Sequence, residues 1–256
     1  MSKYIRSKGK SNRKAKQLPG ELPGLPSDVI VELSTYSARQ RRRQDDSSGF
    51  SLISARNQAQ GEYLSAIKTH QLVFGLGPAG TGKTYCAAAM AAEALASARV
   101  RHVVFCRPAV ESGEHLGFLP GKIMDKVDPW FSIFRNYLSD LLGRGVVDCA
   151  LKNGQLSFEA LAYMRGKTFD DSFVIMDEAQ NCTHAQLKMF LTRIGERTRV
   201  VVNGDVQQSD IGERSGLAAV ARLLNGLADV HVHKFSASDV VRSNLVKRIL
   251  ERYAAT

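Results

Sequence analysis

The chain has 256 residues, a hydrophobic content of 44% and a net charge of +10. That supports a packed core, and no apolar run reaches the ~18 residues of a membrane-spanning helix. The basic balance favours an acidic partner, with nucleic acid the commonest case. The basic N-terminus has no apolar stretch of a secretory signal. Cys86, Cys106, Cys149 and Cys182 form no CxxC pair and fit no zinc spacing, which reads as reduced thiols of a cytosolic protein.

Charge is uneven along the chain. "KYIRSKGKSNRKAKQ" carries seven basic residues and no acid. Pro19, Pro23 and Pro26 follow within "LPGELPGLPSD", and then the basic run "ARQRRR". Residues 1–48 read as a disordered basic arm, either a grip on phosphate backbone or a solvated tail. Residues 49–256 read as one domain. Short apolar runs there predict strands at 71–76, 102–106, 173–177, 199–203 and 230–235. Amphipathic stretches between them predict helices at 83–98, 129–142, 184–194, 215–226 and 238–255. Near-continuous apolar strands alternating with helices imply an α/β fold with a mainly parallel sheet covered by helices on both faces.

The first strand runs into "GPAGTGKT", which fits G-x-x-x-x-G-K-[ST]. Gly77, Gly80 and Gly82 let the backbone bend so that N–H groups of Gly77, Pro78-flanking Ala79, Gly80, Thr81 and Gly82 surround phosphate oxygens. The helix that follows adds the positive end of its dipole. Lys83 is expected on the β/γ-phosphates and the Thr84 hydroxyl on Mg²⁺. "FVIMDEAQ" is a buried strand ending in acids: Asp177 suits the Mg²⁺ shell together with Thr84. Glu178 points elsewhere and suits a general base on the attacking water, or is a plain helix-start carboxylate. In "VVVNGDVQQSDI", Gln208 reads as a sensor of the γ-phosphate or as an exposed loop residue. Gln58, 25 residues before Lys83, has an amide that suits adenine; an ordinary surface glutamine is the equal alternative.

The stretch "RPAVESGEHLGFLPGKIMDKVDPW" is a long Gly/Pro-bearing loop after a strand end. Arg107, Lys122 and Lys126 could touch backbone phosphates and Phe118, Trp130 and Phe131 could stack on bases; of these only Arg107 and Phe118 are read as nucleic-acid contacts, and Trp130 and Phe131 are read as helix core. Arg242 is the first choice for a finger on the transferring phosphoryl group, with Arg193 and Arg165 as alternatives.

The motifs "GPAGTGKTY", "RPAVESGEHLGFLPG", "AYMRGKT", "IMDEAQNCTHAQLKMFLTRIG", "GDVQQSDI" and "DVVRS" together resemble the PhoH family of P-loop ATPases, from about Asn57 to the C-terminus. The resemblance implies a RecA-like ATPase related to the superfamily 1 helicase core. It implies ATP and Mg²⁺ as cofactors, RNA or single-stranded DNA as partner, and a homo-oligomer, most simply a hexameric ring, in the cytoplasm. It also supports Gln58 as adenine reader and Gln208 as phosphate sensor. Lys167 and Ser243 depart from the family's usual arginine and histidine. The competing readings are a phosphotransferase of a small substrate and a nucleic-acid-binding protein with ATP as a structural ligand.

Overall fold

The computed structural model describes residues 53–108, 123–241 and Arg252, with backbone alone for 123–130. The first helix, α1 (Gln58–Thr69), is started by Asn57, whose side chain accepts from the Gln60 N–H. Then follow β1 (Leu72–Leu76), α2 (Lys83–Ala96), β2 (His102–Arg107), α3 (Ile123–Leu142), α4 (Arg144–Lys152) and β3 (Leu156–Ala160). The chain continues through β4 (Ser172–Met176), α5 (His184–Leu191), β5 (Arg199–Gly204), α6 (Leu217–Leu224) and β6 (Val230–Lys234).

The strands form one sheet in the order β3-β2-β4-β5-β1-β6, and every pairing is parallel. The expected α/β architecture is therefore present, and it is RecA-like: β5 intervenes between β1, which leads into the glycine loop, and β4, which leads to Asp177. Side chains alternate across the sheet, so its two faces bury different residues. Val73, Val103, Phe105, Ile175 and Val201 face α1 to α4, whereas Phe74, Val104, Val174, Met176 and Val202 face α5 and α6. Helix α2 lies deep in the first layer, with Ala87 to Ala92 almost fully buried. Alanine is the best helix former, and its single methyl lets a helix approach a sheet closely.

The five predicted strands all appear, shifted by a residue at their ends. The predicted helices at 83–98, 129–142, 184–194 and 215–226 are also present, the second extended back to Ile123. Of the reading 238–255, the described residues show a 3₁₀ turn at Ala237–Asp239 and Arg252 as helical; the rest beyond Val241 lies outside them. Strand β3 and helices α1 and α4 were not expected. Phe131 joins the core as expected: its ring stacks on Phe158 and meets Phe105 edge-on. All four cysteines are free thiols. Burial pushes Cys86 and Cys182 up to about 12 and raises Cys106 well above its ordinary value, so these three are not ready nucleophiles. Among the described residues no helix is long and apolar enough to cross a membrane.

On edge strand β6, His231 and His233 share a face, and their rings stand 6.1 Å apart. His231 also meets His70, and His233 lies against Tyr63 and Phe235. Both histidines are held below the ordinary imidazole value, first by burial and then by the neighbouring histidine; Glu62 and Asp239 pull His233 the other way. Because the folded value is the lower one, the unfolded chain takes up protons first as pH falls. Stability is complete above ~6.5 and is lost below it. The expected result is a urea midpoint that drops between pH 7.5 and 5.5, and drops less in His233→Phe. Equal drops in the two proteins would remove His233 as the cause.

Candidate active site

Between β1 and α2 the backbone turns in a way that side chains oppose. Gly77, Gly80 and Gly82 have φ of 143°, 86° and 88°. A Cβ on Gly77 would lie 2.5 Å from the Phe235 carbonyl, and one on Gly82 would lie 2.7 Å from Gln60 Nε2. No side chain caps α2, so its first-turn N–H groups are left for a ligand. Thr81 Oγ1 donates to the Pro78 carbonyl at 3.0 Å and braces the loop. Lys83 Nζ donates to the carbonyls of Gly77 and Pro78 at 2.6 and 2.8 Å. Burial lowers the Lys83 ammonium from its ordinary value, against the pull of Asp205, Asp177 and Glu178.

The loop has two further supports. Gln60, buried on α1, donates Nε2 to the Thr81 carbonyl at 2.9 Å. The Val241 N–H donates to the Gly80 carbonyl at 3.0 Å, and Asn57 Nδ2 ties the same C-terminal segment to α1 through the Asp239 carbonyl.

One strand over, β4 delivers the carboxylates. Thr84 Oγ1 donates to Asp177 Oδ1 at 2.9 Å. Arg107, at the end of β2, places Nη2 3.2 Å from Asp177 Oδ2 and 3.1 Å from Glu178 Oε1. Burial raises the Asp177 carboxyl, with Glu178 adding to that effect; Arg107, the Thr84 hydroxyl and Lys83 act against it. Glu178 has φ 57° and ψ 37°, a left-handed conformation that is uncommon for a residue with a Cβ. Glu178 lines the cleft beside Asp177, and both carboxylates meet the same Arg107 Nη2. Strain of this kind is found where a side chain must be held for use.

The cleft has a volume of about 300 Å³. Gly80, Gly82, Lys83 and Thr84 line one side, Asp177, Glu178 and Arg107 another, and Asp205 and Gln208 close it. Tyr85 and Tyr137, in edge-to-face contact at 5.2 Å, make its apolar end together with Ile133.

The chain belongs to the PhoH-like family. The family model for "PhoH-like protein" matches residues 52–254. The PhoH-like protein of Bacillus subtilis (strain 168) is 45% identical over 203 residues, covering 78% of this chain and 64% of its own length. That of Mycobacterium tuberculosis (strain ATCC 25618 / H37Rv) is 46% identical over 235 residues, covering 91% of this chain and 65% of its own. Protein PhoH of Escherichia coli (strain K12) is 44% identical over 213 residues, covering 82% and 60%. The chain thus spans less than two thirds of the length of these relatives.

In this PhoH-like chain, the structure gathers most of the residues singled out in the sequence. Ala79, Gly80, Gly82, Lys83, Thr84, Asp177, Glu178 and Gln208 line one cleft. Arg107, read as a nucleic-acid contact, sits inside that cleft on both carboxylates. Gln58 stands on the surface at the start of α1, its amide donating to Glu62 at 2.8 Å. Arg165 and Arg193 do not line the cleft. Phe118, Lys122 and Arg242 lie outside the described residues, as do the 1–48 arm and the side chains of Lys126 and Trp130.

Sequence reasoning missed Gln60, Gln180 and Asn181. Gln180 donates Nε2 to Glu178 Oε2 at 2.6 Å and accepts from the Asp205 N–H at 3.0 Å. Asn181 and Asp210 exchange hydrogen bonds at 2.7 and 2.9 Å. These contacts clamp the 205–210 loop, and so Gln208, to the turn after β4. The available signal was the polar pair "QN", one alanine after a buried strand and two acids.

The geometry suits a nucleoside triphosphate with a divalent cation. The glycine loop is a cradle that a Cβ would fill, and Asp177 is a buried carboxylate that shares its Oδ1 with a threonine hydroxyl. Gly82→Ala should weaken the binding of a fluorescent ATP analogue at least tenfold. A non-glycine residue in the left-handed region costs ~1–3 kcal/mol, and here the methyl also strikes Gln60. Adding Gln60→Ala removes the clash and not the backbone cost, so partial recovery is expected in a titration. Wild-type affinity in Gly82→Ala would show that the loop tolerates a side chain there.

Proposed function

We propose that this PhoH-like chain is an ATPase that uses Mg²⁺ and works on RNA or single-stranded DNA. The observation that carries the hydrolytic half is the Thr84–Asp177 hydrogen bond, with Lys83 and Glu178 in the same cleft. Lys83 holds the β/γ-phosphates, and the backbone N–H groups from Ala79 to Thr84 surround them; the Gly77 N–H is not among them, because it donates to the Gly204 carbonyl at 3.1 Å. Thr84 and Asp177 hold the cation. Once bound, it neutralises charge on the phosphate oxygens. Glu178 polarises the attacking water and takes its proton. Gln180 fixes the Glu178 carboxylate in place, and Gln208 reads the γ-phosphate. A base on water favours hydrolysis over transfer to a small acceptor.

The nucleic-acid half is supported by the net charge of +10 and by the family resemblance. Arg107 balances the two carboxylates, and Phe118 remains a candidate base contact. Arg242 remains the candidate finger: the residue before it, Val241, is hydrogen-bonded to the glycine loop. One RecA-like unit has one side of a cleft, so a homo-oligomer with ATP at each boundary, closed as a six-membered ring, completes the proposal. The cytoplasm is the expected compartment, given the free thiols.

Glu178→Gln should bind the ATP analogue within a few-fold of wild type and hydrolyse ATP at least ~10²-fold more slowly, since general-base catalysis contributes ~10²–10⁴-fold. Gln180→Ala should lower kcat about tenfold, because it frees the Glu178 carboxylate and loosens the 205–210 loop that carries Gln208. Turnover at the wild-type rate in Glu178→Gln would remove the base from the mechanism.

ATPase rates measured with and without single-stranded RNA separate the readings. Stimulation supports the coupled enzyme. Turnover that RNA leaves unchanged marks hydrolysis uncoupled from nucleic acid, transfer of the phosphoryl group to an added small acceptor favours a phosphotransferase, and binding without turnover favours ATP as a structural ligand.

A further inference from the structure

A second cavity opens at the opposite end of the sheet, where strands begin rather than end. Its volume is about 610 Å³, larger than the phosphate cleft. Gln71, Val100 and Asp229, just before β1, β2 and β6, line it, together with Arg199, the first residue of β5. Arg99 and Arg197 complete its cationic wall.

The three guanidinium groups are not equivalent. Arg99 donates Nη2 to Glu93 at 2.6 Å and Nε to the Ser97 hydroxyl at 2.9 Å. Arg197 is clamped on both oxygens of Asp171. Each is therefore held in place by its own carboxylate. Arg199 is half-buried and donates Nε to the His70 carbonyl at 3.1 Å; its two terminal nitrogens have no partner among the described residues. The carboxylate on the lining, Asp229, makes no ion pair with any of the three arginines. Burial lowers Arg199 from its ordinary value, and the charge of Arg99 lowers it further.

A half-buried cation facing a second cation is an unfavourable arrangement unless an anion completes it. A guanidinium fork with two open N–H groups matches phosphate oxygens in pairs. We propose that this cavity is a second anion site, in which Arg199, assisted by Arg99, binds a phosphate group remote from the catalytic cleft. The phosphate belongs either to a polynucleotide backbone or to a small phosphorylated ligand.

The test uses the full chain carrying Lys83→Ala, which silences the catalytic cleft, with inorganic pyrophosphate as probe and titration followed by ³¹P NMR. Pyrophosphate should still bind. Arg199→Gln should weaken that binding at least tenfold. Gln71→Glu, an exposed lining position, puts a carboxylate on the cavity wall without removing the Arg199–His70 bond, and should do the same. With Lys83 restored, Arg199→Gln should bind the fluorescent ATP analogue as wild type does. Absence of binding in Lys83→Ala, or binding that neither second substitution changes, would overturn the site.

A 12-nucleotide single-stranded RNA distinguishes the two sources. RNA binding that weakens with Arg199→Gln and is displaced by pyrophosphate assigns the site to backbone phosphate. RNA binding indifferent to Arg199, alongside Arg199-dependent pyrophosphate binding, assigns it to a small ligand.

Discussion

A carboxylate almost fully removed from water sits where β4 ends, and the surroundings of the cleft are arranged around its charge. Asp177 is 3% exposed. An isolated ionised carboxylate at such a depth would cost many kcal/mol, and the group would protonate instead. Three groups oppose that outcome: the Thr84 hydroxyl at 2.9 Å, the Arg107 guanidinium at 3.2 Å and the more distant Lys83 ammonium. Two of them, Thr84 and Lys83, come from the first turn of α2, and Arg107 comes from the end of β2. The compensation is partial, because the carboxyl still lies above its ordinary value. A site with residual anionic demand at its floor and N–H groups on its rim suits a cation and a phosphate together.

The sheet makes this meeting possible. β1 and β4 are not neighbours; β5 lies between them. The glycine loop therefore has to swing across the end of β5, and the Gly77 N–H marks the crossing by donating to the Gly204 carbonyl at 3.1 Å. Close approach also requires Gly75: a Cβ there would lie 2.6 Å from Asn203 Oδ1 and 2.7 Å from the Tyr63 hydroxyl. Those two side chains are hydrogen-bonded to each other at 2.5 Å under the loop. Glycine thus serves different purposes in one motif. Gly75 admits a buried polar pair, and Gly77 and Gly82 supply positive φ beside a close neighbour.

The fold class was legible because the central strands carry unbroken apolar runs, and the glycine loop was legible because its spacing encodes both turn and charge. β3 escaped notice for a physical reason. It is an edge strand, and its middle residues Ser157, Phe158 and Glu159 are only half-buried, so "LSFEA" has the composition of a surface segment. Helix α1 was read for Gln58 alone, whereas its buried face, with Gln60, Tyr63 and Ile67, is what braces the loop. Arg107 was placed correctly at a strand end, but sequence does not say which way a guanidinium turns. Two carboxylates one strand away settle that. Gln180 and Asn181 were invisible as clamps because their partners, Asp205 and Asp210, come from another strand's loop.

The cleft is consequently built from two braced halves. In one, the glycine loop is tied to α1 by Gln60 and to the segment after β6 by the Val241 N–H. In the other, the turn carrying Glu178 is tied to the 205–210 loop by Gln180 and Asn181. Across the join run the Thr84–Asp177 and Gly77–Gly204 hydrogen bonds. Within the second half, Glu178 and Gln208 cannot move independently, since the residue that holds the glutamate also holds the backbone from which the glutamine hangs. A displacement of Gln208 would pull on Asp205, then on Gln180, and so on the Glu178 carboxylate. The positions of Glu178 and Gln208, the base and the phosphate sensor of the proposed reaction, are thereby set by the same few hydrogen bonds.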